Sequence, residues 1–283
     1  MKRVFVIAGP TASGKSHLAL QLAQQVGGEI VNADSLQVYR DVPLLTARPT
    51  PDDEKIVLHH LYGYMDATQR ENCHDWLQRA VATANKIDTP IFVGGTGLYL
   101  KALTQGLSAL PPVPEAIRSQ VRQTPIEEVR LHLPADCPTD PQRARRALEV
   151  FLSSGHWPSY FYAQAVKPLL DVDFYTILIN PPREKLYERI NTRFHQMIEQ
   201  GALDEVKELL KANPKKNGGV FQALGVKELI TVIEKTSTID EACTLATQAT
   251  RHYAKRQITW FRHQMSFTKT IEKAEISALS NIK

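Results

Sequence analysis

The chain has 283 residues, 43% hydrophobic and 23% charged, with a formal net charge of +4 at pH 7. That composition excludes a disordered or low-complexity polypeptide, and no apolar run reaches the roughly 20 residues of a membrane-spanning helix. So small a net charge means that an acidic partner must be met by local basic surfaces, not by the molecule as a whole.

Cys73, Cys137 and Cys243 are far apart and lack paired metal spacing, so idle thiols in a reducing cytoplasm are expected. The start, Lys2-Arg3 before a short apolar run, loosely imitates an export signal. The run breaks at Gly9-Pro10, so it is expected to be part of the fold instead. Val4 to Ala8 reads as a buried strand, and Ser16 to Val26 places Leu18, Leu22 and Val26 at helical spacing. Between them lies Gly9-Pro10-Thr11-Ala12-Ser13-Gly14-Lys15-Ser16, the spacing of a phosphate loop. At such a strand-to-helix turn the backbone N–H groups converge on an anion. Lys15 is expected to reach a terminal phosphate, and the Ser16 hydroxyl to ligate Mg²⁺.

Glu29 to Ala33 reads as a second strand, leading into Asp34-Ser35-Leu36-Gln37. Residues just past a strand's C-terminal end face the ligand edge of an alternating α/β sheet. Asp34 therefore has two readings, a carboxylate placed for chemistry or the cap of a following helix. The stretch from Val42 to Asp53 is proline-rich and irregular, with Arg48 in its midst. His59-His60 would point to opposite faces of a strand, and no third ligand is near. Asn72 to Ile87 reads as a helix with Trp76, Ala80 and Ala84 on one face. Thr89 to Val93 is a further buried strand, ending in Gly94-Gly95-Thr96-Gly97, whose Thr96 hydroxyl is expected on the same edge.

From Pro111 to about Lys167 prolines punctuate two helical stretches, Glu115 to Gln123 and one opening at Gln142-Arg143-Ala144-Arg145-Arg146. A small helical insertion is expected, its arginines either salt-bridged or facing nucleic-acid phosphates. Phe174 to Ile179 restores a strand, and the helix after Pro182 puts Arg189 and Arg193 on one face. Between Ala242 and Ile271 there is no Asp or Glu. Arg251, Lys255 and Arg262 fall on one helical stripe there, with Tyr253, Trp260 and Phe261 interleaved. That pattern suits RNA, the alternative being a solvated face with aromatics packed on the core. The tail after Lys269 is expected to fray.

The stretches GPTASGKS at 9–16, NADSLQVYR at 32–40, VGGTGLYLKAL at 93–103 and DPQRARRALEV at 140–150 come in one order with LYERINTRFHQMIEQGALDEV at 186–206 and ATRHYAKRQITWFRH at 249–263. Together they resemble the tRNA dimethylallyltransferase (tRNA isopentenyltransferase, IPP transferase) family. Two stretches depart from its usual pattern, Leu133 to Pro138 and Asp41 to Leu45.

The resemblance implies an α/β, P-loop NTPase-like core with a parallel sheet flanked by helices over 1–110 and 171–283, and a small helical insertion over 111–170. It also implies transfer of a dimethylallyl group from dimethylallyl diphosphate to N6 of the adenosine that follows the anticodon. Asp34 would be the base. Lys15, Mg²⁺ at Ser16, the loop from Gly9 to Ser16, Thr96 and Arg193, with Arg189, would stabilise the leaving pyrophosphate. Asp34, Ser35, Leu36, Gln37, Thr96, Arg118, Gln142, Arg143, Ala144, Arg145 and Arg146 match positions that hold the anticodon stem-loop. A cytoplasmic monomer is expected. Three rival readings remain at the level of sequence: an ATP-dependent small-molecule kinase, a prenyltransferase acting on free adenine nucleotides, and a non-catalytic RNA-binding module.

Overall fold

The computed structural model describes residues 2–213 and 215–279. Its strands alternate with helices from the start: β1 (Arg3–Ala8), α1 (Lys15–Val26), β2 (Glu29–Asn32), α2 (Pro51–Ile56), β3 (His59–His60), α3 (Cys73–Ala84), β4 (Pro90–Gly94) and α4 (Gly97–Gln105). Four helices follow, α5 (Glu115–Gln123), α6 (Ile126–Leu131), α7 (Pro141–Ser154) and α8 (Pro158–Tyr162). Then come β5 (Asp173–Ile179), α9 (Arg183–Glu199), α10 (Ala202–Ala212), α11 (Val226–Ile233), α12 (Ile239–Gln264) and β6 (Lys269–Ile271).

All six strands join one parallel sheet in the order β3-β2-β4-β1-β5-β6. The unbroken apolar run Val4 to Ala8 explains the central place of β1, since a strand covered by helices on both faces has no polar side to present. Phe5, Ile7, Ile91 and Ile177 pack under Leu18, Ala19 and Leu22 of α1. Register then aligns the strand ends: Ala8 lies opposite Gly94, and Asn32 opposite Val93. The three segments that leave β1, β2 and β4 therefore emerge at one edge of the sheet, where open α/β sheets bind ligands.

One of the two readings of Asp34 is excluded and one expectation is corrected. No helix follows β2 directly; residues 33–50 run as turns, and α2 is capped by Thr50. Asp34 therefore caps no helix. The segment after Lys269 does not fray over its described part, because β6 pairs with β5 and a 3₁₀ turn forms at Ile276–Leu279. Thr268 reinforces that edge by exchanging hydrogen bonds with Thr176, which receives the Thr268 N–H at 2.9 Å. Residues 280–283 of the expected frayed tail lie outside the described residues.

The chain divides into two compact units, one of residues 1–104 with 169–283, the other of residues 105–168. In the first, α9 to α12 enclose a second core with the turns after β2, including Val38, Val42, Phe194, Val206, Leu229 and Ala246. Both Glu205 carboxylate oxygens accept backbone N–H groups there, from Leu44 at 2.6 Å and Leu45 at 3.0 Å. Burial raises the Glu205 pKa, while these two N–H donors oppose the shift.

The second unit packs α5, α6 and α7 around Val121, Val129, Ala144 and Leu148, with Phe151 stacked on Trp157 at 4.3 Å. Asp140 caps α7 by accepting the Arg143 N–H, and Pro141 opens it.

Candidate active site

The phosphate loop is shaped for an anion. Gly14, which precedes α1, has φ +93°, and a Cβ on it would lie 2.8 Å from the Ala274 Cβ. Only glycine serves there, on conformation and on space. The first turn of α1 has no side-chain cap and no acidic residue, so its backbone donors and dipole are left for a ligand. The Ser13 hydroxyl is fully buried and has no hydrogen-bond partner among the described residues. Such an orphan is costly unless something else arrives to accept or donate.

Lys15 curls back and donates from Nζ to the Pro10 carbonyl at 2.7 Å. Burial lowers its pKa to about 8; the nearby Asp34 charge opposes that fall and the Arg193 charge adds to it. Arg193 donates to the Thr11 hydroxyl at 3.1 Å, and Arg189, one turn earlier on α9, points a guanidinium at the Ser13 carbonyl at 3.5 Å. Burial also lowers the Arg193 pKa, with Asp34 pulling the other way. Ser16 is exposed at the head of α1. Gly9 and Pro10 are buried at the end of β1, and Ala12 takes φ +61° in the turn.

Asp34 is held from several sides. Its own N–H donates to Asn32 Oδ1 at 2.8 Å, and Asn32 Nδ2 returns a hydrogen bond to the Asp34 carbonyl at 3.0 Å. Asn32 is fully buried, and its carbonyl accepts the Trp76 indole N–H at 3.1 Å. Asp34 Oδ1 accepts the Leu36 N–H at 3.0 Å, so the carboxylate closes a local turn and leaves Oδ2 unengaged among the described residues. Thr96 crosses from the β4 end: its Oγ1 accepts the Ser35 N–H at 2.9 Å and donates to Ser35 Oγ at 3.2 Å. Gln37 spends its amide N–H groups on the Thr46 and Ala47 carbonyls, both at 2.9 Å.

The loop from Thr11 to Ser16, Asp34, Gln37 and Arg193 line a cavity of about 290 Å³, of whose lining Thr96 is not a part. Its lining also includes residues to which the sequence assigned no role: Arg48, Pro49, His59 and Tyr62. Burial raises the Tyr62 pKa well above the usual phenol value. A smaller cavity of about 60 Å³ shares Thr11, Asp34 and Arg193, and is otherwise lined mainly by apolar groups such as Leu45, Phe194 and Leu224. One side is thus polar and cationic, the other apolar, with the carboxylate between.

Some expected contacts fall elsewhere. Ala144 is completely buried in the second unit's core and offers no side chain to RNA. Arg145 turns inward, donating to the carbonyls of Val121 and Thr124, the latter at 2.7 Å. Arg146 is paired with Glu149 at 3.2 Å. Gln142, Arg143 and Arg118 remain exposed. On α12, Arg251 leaves the expected basic stripe, bonding Asn191 at 2.6 Å and lying over the Tyr187 ring, while Phe261 is buried. Lys255, Arg256 and Arg262 stay exposed. His60 pairs with Glu29 at 2.6 Å, and Lys101 bonds Gln264 at 3.0 Å. No group of three His, Cys, Asp or Glu suited to a metal occurs among the described residues.

A family model described as IPP transferase matches residues 37–264. A protein of Rhodopseudomonas palustris named tRNA dimethylallyltransferase is 43% identical over 98% of this chain and 91% of its own. One of the same name from Chelativorans sp. is 45% identical over 94% of this chain and 97% of its own. Among solved structures, the tRNA delta(2)-isopentenylpyrophosphate transferase of Staphylococcus epidermidis superposes with a TM-score of 0.72 at 27% identity, covering 99% of this chain and 96% of that one. A eukaryotic dimethylallyltransferase acting on tRNA gives 0.81 at 27% identity, covering 95% and 74%. A family match over most of the length, relatives at this identity and a shared fold carry one conclusion: the chain belongs to the IPP transferase family.

Proposed function

We propose that the protein transfers a dimethylallyl group from dimethylallyl diphosphate to N6 of adenosine 37 in tRNA, releasing pyrophosphate. The observation that carries this reading is the meeting of an anion cradle and a carboxylate in one cavity. Partly buried Lys15, the orphaned Ser13 hydroxyl and Asp34 all line it. In the reaction N6 attacks C1 of the dimethylallyl group, the C1–O bond breaks, and the electron pair leaves with pyrophosphate. Adenine's exocyclic amine is a weak nucleophile, and Asp34 takes its proton as the C–N bond forms. Lys15, Arg193 and the N–H groups of the loop meet the charge that grows on the leaving oxygens.

Mg²⁺ fits this donor set. The exposed Ser16 hydroxyl bonds no other described side chain, and the ion prefers a few protein oxygens completed by phosphate and water. When bound at Ser16 it would supply further neutralisation of the diphosphate. The target base must leave its stack to enter the cavity, which suits an adenosine in the single-stranded anticodon loop. Exposed Arg118, Gln142 and Arg143, with Lys255, Arg256 and Arg262, would hold the RNA backbone. We assign the active form as a monomer acting in the cytoplasm.

The test is incubation with labelled dimethylallyl diphosphate and either total tRNA or free adenine nucleotides. Label in tRNA is the expected result. Label only in free nucleotides, or ATP-dependent phosphorylation of a small molecule, overturns the proposal.

A further inference from the structure

Gln257 has no part in the chemistry above, yet it is buried, only 6% exposed, against the two glycine-containing turns of the site. Its Oε1 accepts the Thr11 N–H at 2.8 Å, and its Nε2 donates to the Gly95 carbonyl at 2.9 Å. No other side chain hydrogen-bonds both turns among the described residues. A Cβ on Gly95 would collide with Gln257 Nε2, so the turn has given up its side chain to admit this amide. Gly95 precedes Thr96, which holds the Asp34 turn through Ser35. Two sets of hydrogen bonds, joined by the Gly95–Thr96 peptide, therefore link the phosphate loop through Gln257 and Thr96 to the segment that carries the base.

We propose that Gln257 is a positioning residue that fixes the separation between the diphosphate cradle and the base-bearing turn. The inference rests on the prenyl-transfer reading. In-line displacement needs the attacking nitrogen and the leaving group held at a set spacing, and an error of about 1 Å costs roughly a hundredfold in rate. A side-chain amide suits the place because it accepts at one end and donates at the other. Asn is a methylene too short, and an ionised carboxylate accepts at both ends.

That asymmetry supplies the test. Gln257→Glu is isosteric and keeps the bond to Thr11. When ionised it faces the Gly95 carbonyl with an oxygen, and when protonated it donates to that carbonyl again. Steady-state rates of wild type, Gln257→Glu and Gln257→Met are compared from pH 6 to 9 with both substrates varied.

Gln257→Met is expected to lose about thirtyfold in kcat at every pH, in keeping with a small error in spacing, with each KM changed less than about threefold. Gln257→Glu is expected to be equally poor at pH 9 and to recover at least about fivefold, relative to wild type, by pH 6. Wild-type rates at all pH values, from a buried carboxyl that stays protonated, also support the pin when Gln257→Met is slow. Near-normal kcat in Gln257→Met overturns it. So does a Gln257→Glu deficit that pH does not move, because a merely structural lesion has no reason to titrate in step with that carboxyl.

Amide hydrogen exchange at Thr11, expected to accelerate in Gln257→Met, reads the pin without turnover. Unchanged exchange overturns it. A wild-type protein that prenylates nothing would sink the functional reading alone.

Discussion

At the scale of single residues, Asp34 and Lys15 make separable predictions. Asp34→Asn keeps an Oδ1 acceptor for the Leu36 N–H, so the turn and both substrates' binding should survive. Single-turnover transfer is expected to fall by roughly two to four powers of ten, the share of a general base. A fast Asn variant would restrict Asp34 to closing its turn. Lys15 carries a pKa lowered to about 8 chiefly by burial, so the unliganded cradle sheds its proton within reach of ordinary buffers. An anion favours the charged amine. Affinity for pyrophosphate should therefore be highest below pH 8 and weaken as pH rises through and beyond it. Titration calorimetry in buffers of differing ionisation enthalpy should show proton uptake on binding near pH 8.5; a pH-independent affinity would contradict the assignment. The places of Lys15 after β1 and of Thr96 after β4 were legible as motif positions. That Gln257 reaches both turns was not, because its partners are backbone atoms some 160 and 246 residues away in sequence.

At the scale of elements, α7 shows how one arginine-rich turn divides its work. Arg145 satisfies carbonyls at the end of α5, and charged hydrogen bonds of this kind contribute about 1.5–3 kcal/mol. Arg145→Ala is expected to lower the urea midpoint of unfolding. Arg143, exposed on the same helix, should leave that midpoint in place when changed to Ala. It should instead weaken tRNA binding and reduce the salt slope by about 1. An unchanged salt slope would remove α7 from the RNA surface. The helix itself was legible from Gln142 onward, and the structure adds its Asp140 cap, its Pro141 start and its Gly155 end. Which arginine turned inward was not, since three arginines within four residues lie on different faces and only the neighbouring helices decide which is buried. The same holds for Arg251 on α12. β6 escaped notice because a three-residue edge strand carries too little periodicity to stand out.

At the scale of the whole molecule, the phosphate loop, Asp34, Thr96, Arg193 and Gln257 all belong to the unit of residues 1–104 and 169–283. Within the other unit the backbones at Gly106 and Lys167 come together, a Cβ on Gly106 falling 2.6 Å from the Lys167 carbonyl oxygen. Replacing residues 107–166 by a short Gly-Ser linker is therefore expected to keep pyrophosphate affinity within about threefold, the linker spanning adjacent ends at little entropic cost. Binding of tRNA should weaken strongly. Loss of pyrophosphate affinity in the shortened chain would show that the cradle depends on the excised helices. The sheet order carries one more consequence, for synthesis on the ribosome. β1 is made first, but its neighbour β5 places Asp173 opposite Arg3, and the amide that braces Thr11 arrives only with Gln257. At about 5–20 residues per second, roughly 10–50 s separate the emergence of the loop from that of its brace. Until β5 emerges within that interval, the nascent chain exposes one unpaired edge of the apolar strand β1, so the early translation product is the form most in need of a chaperone.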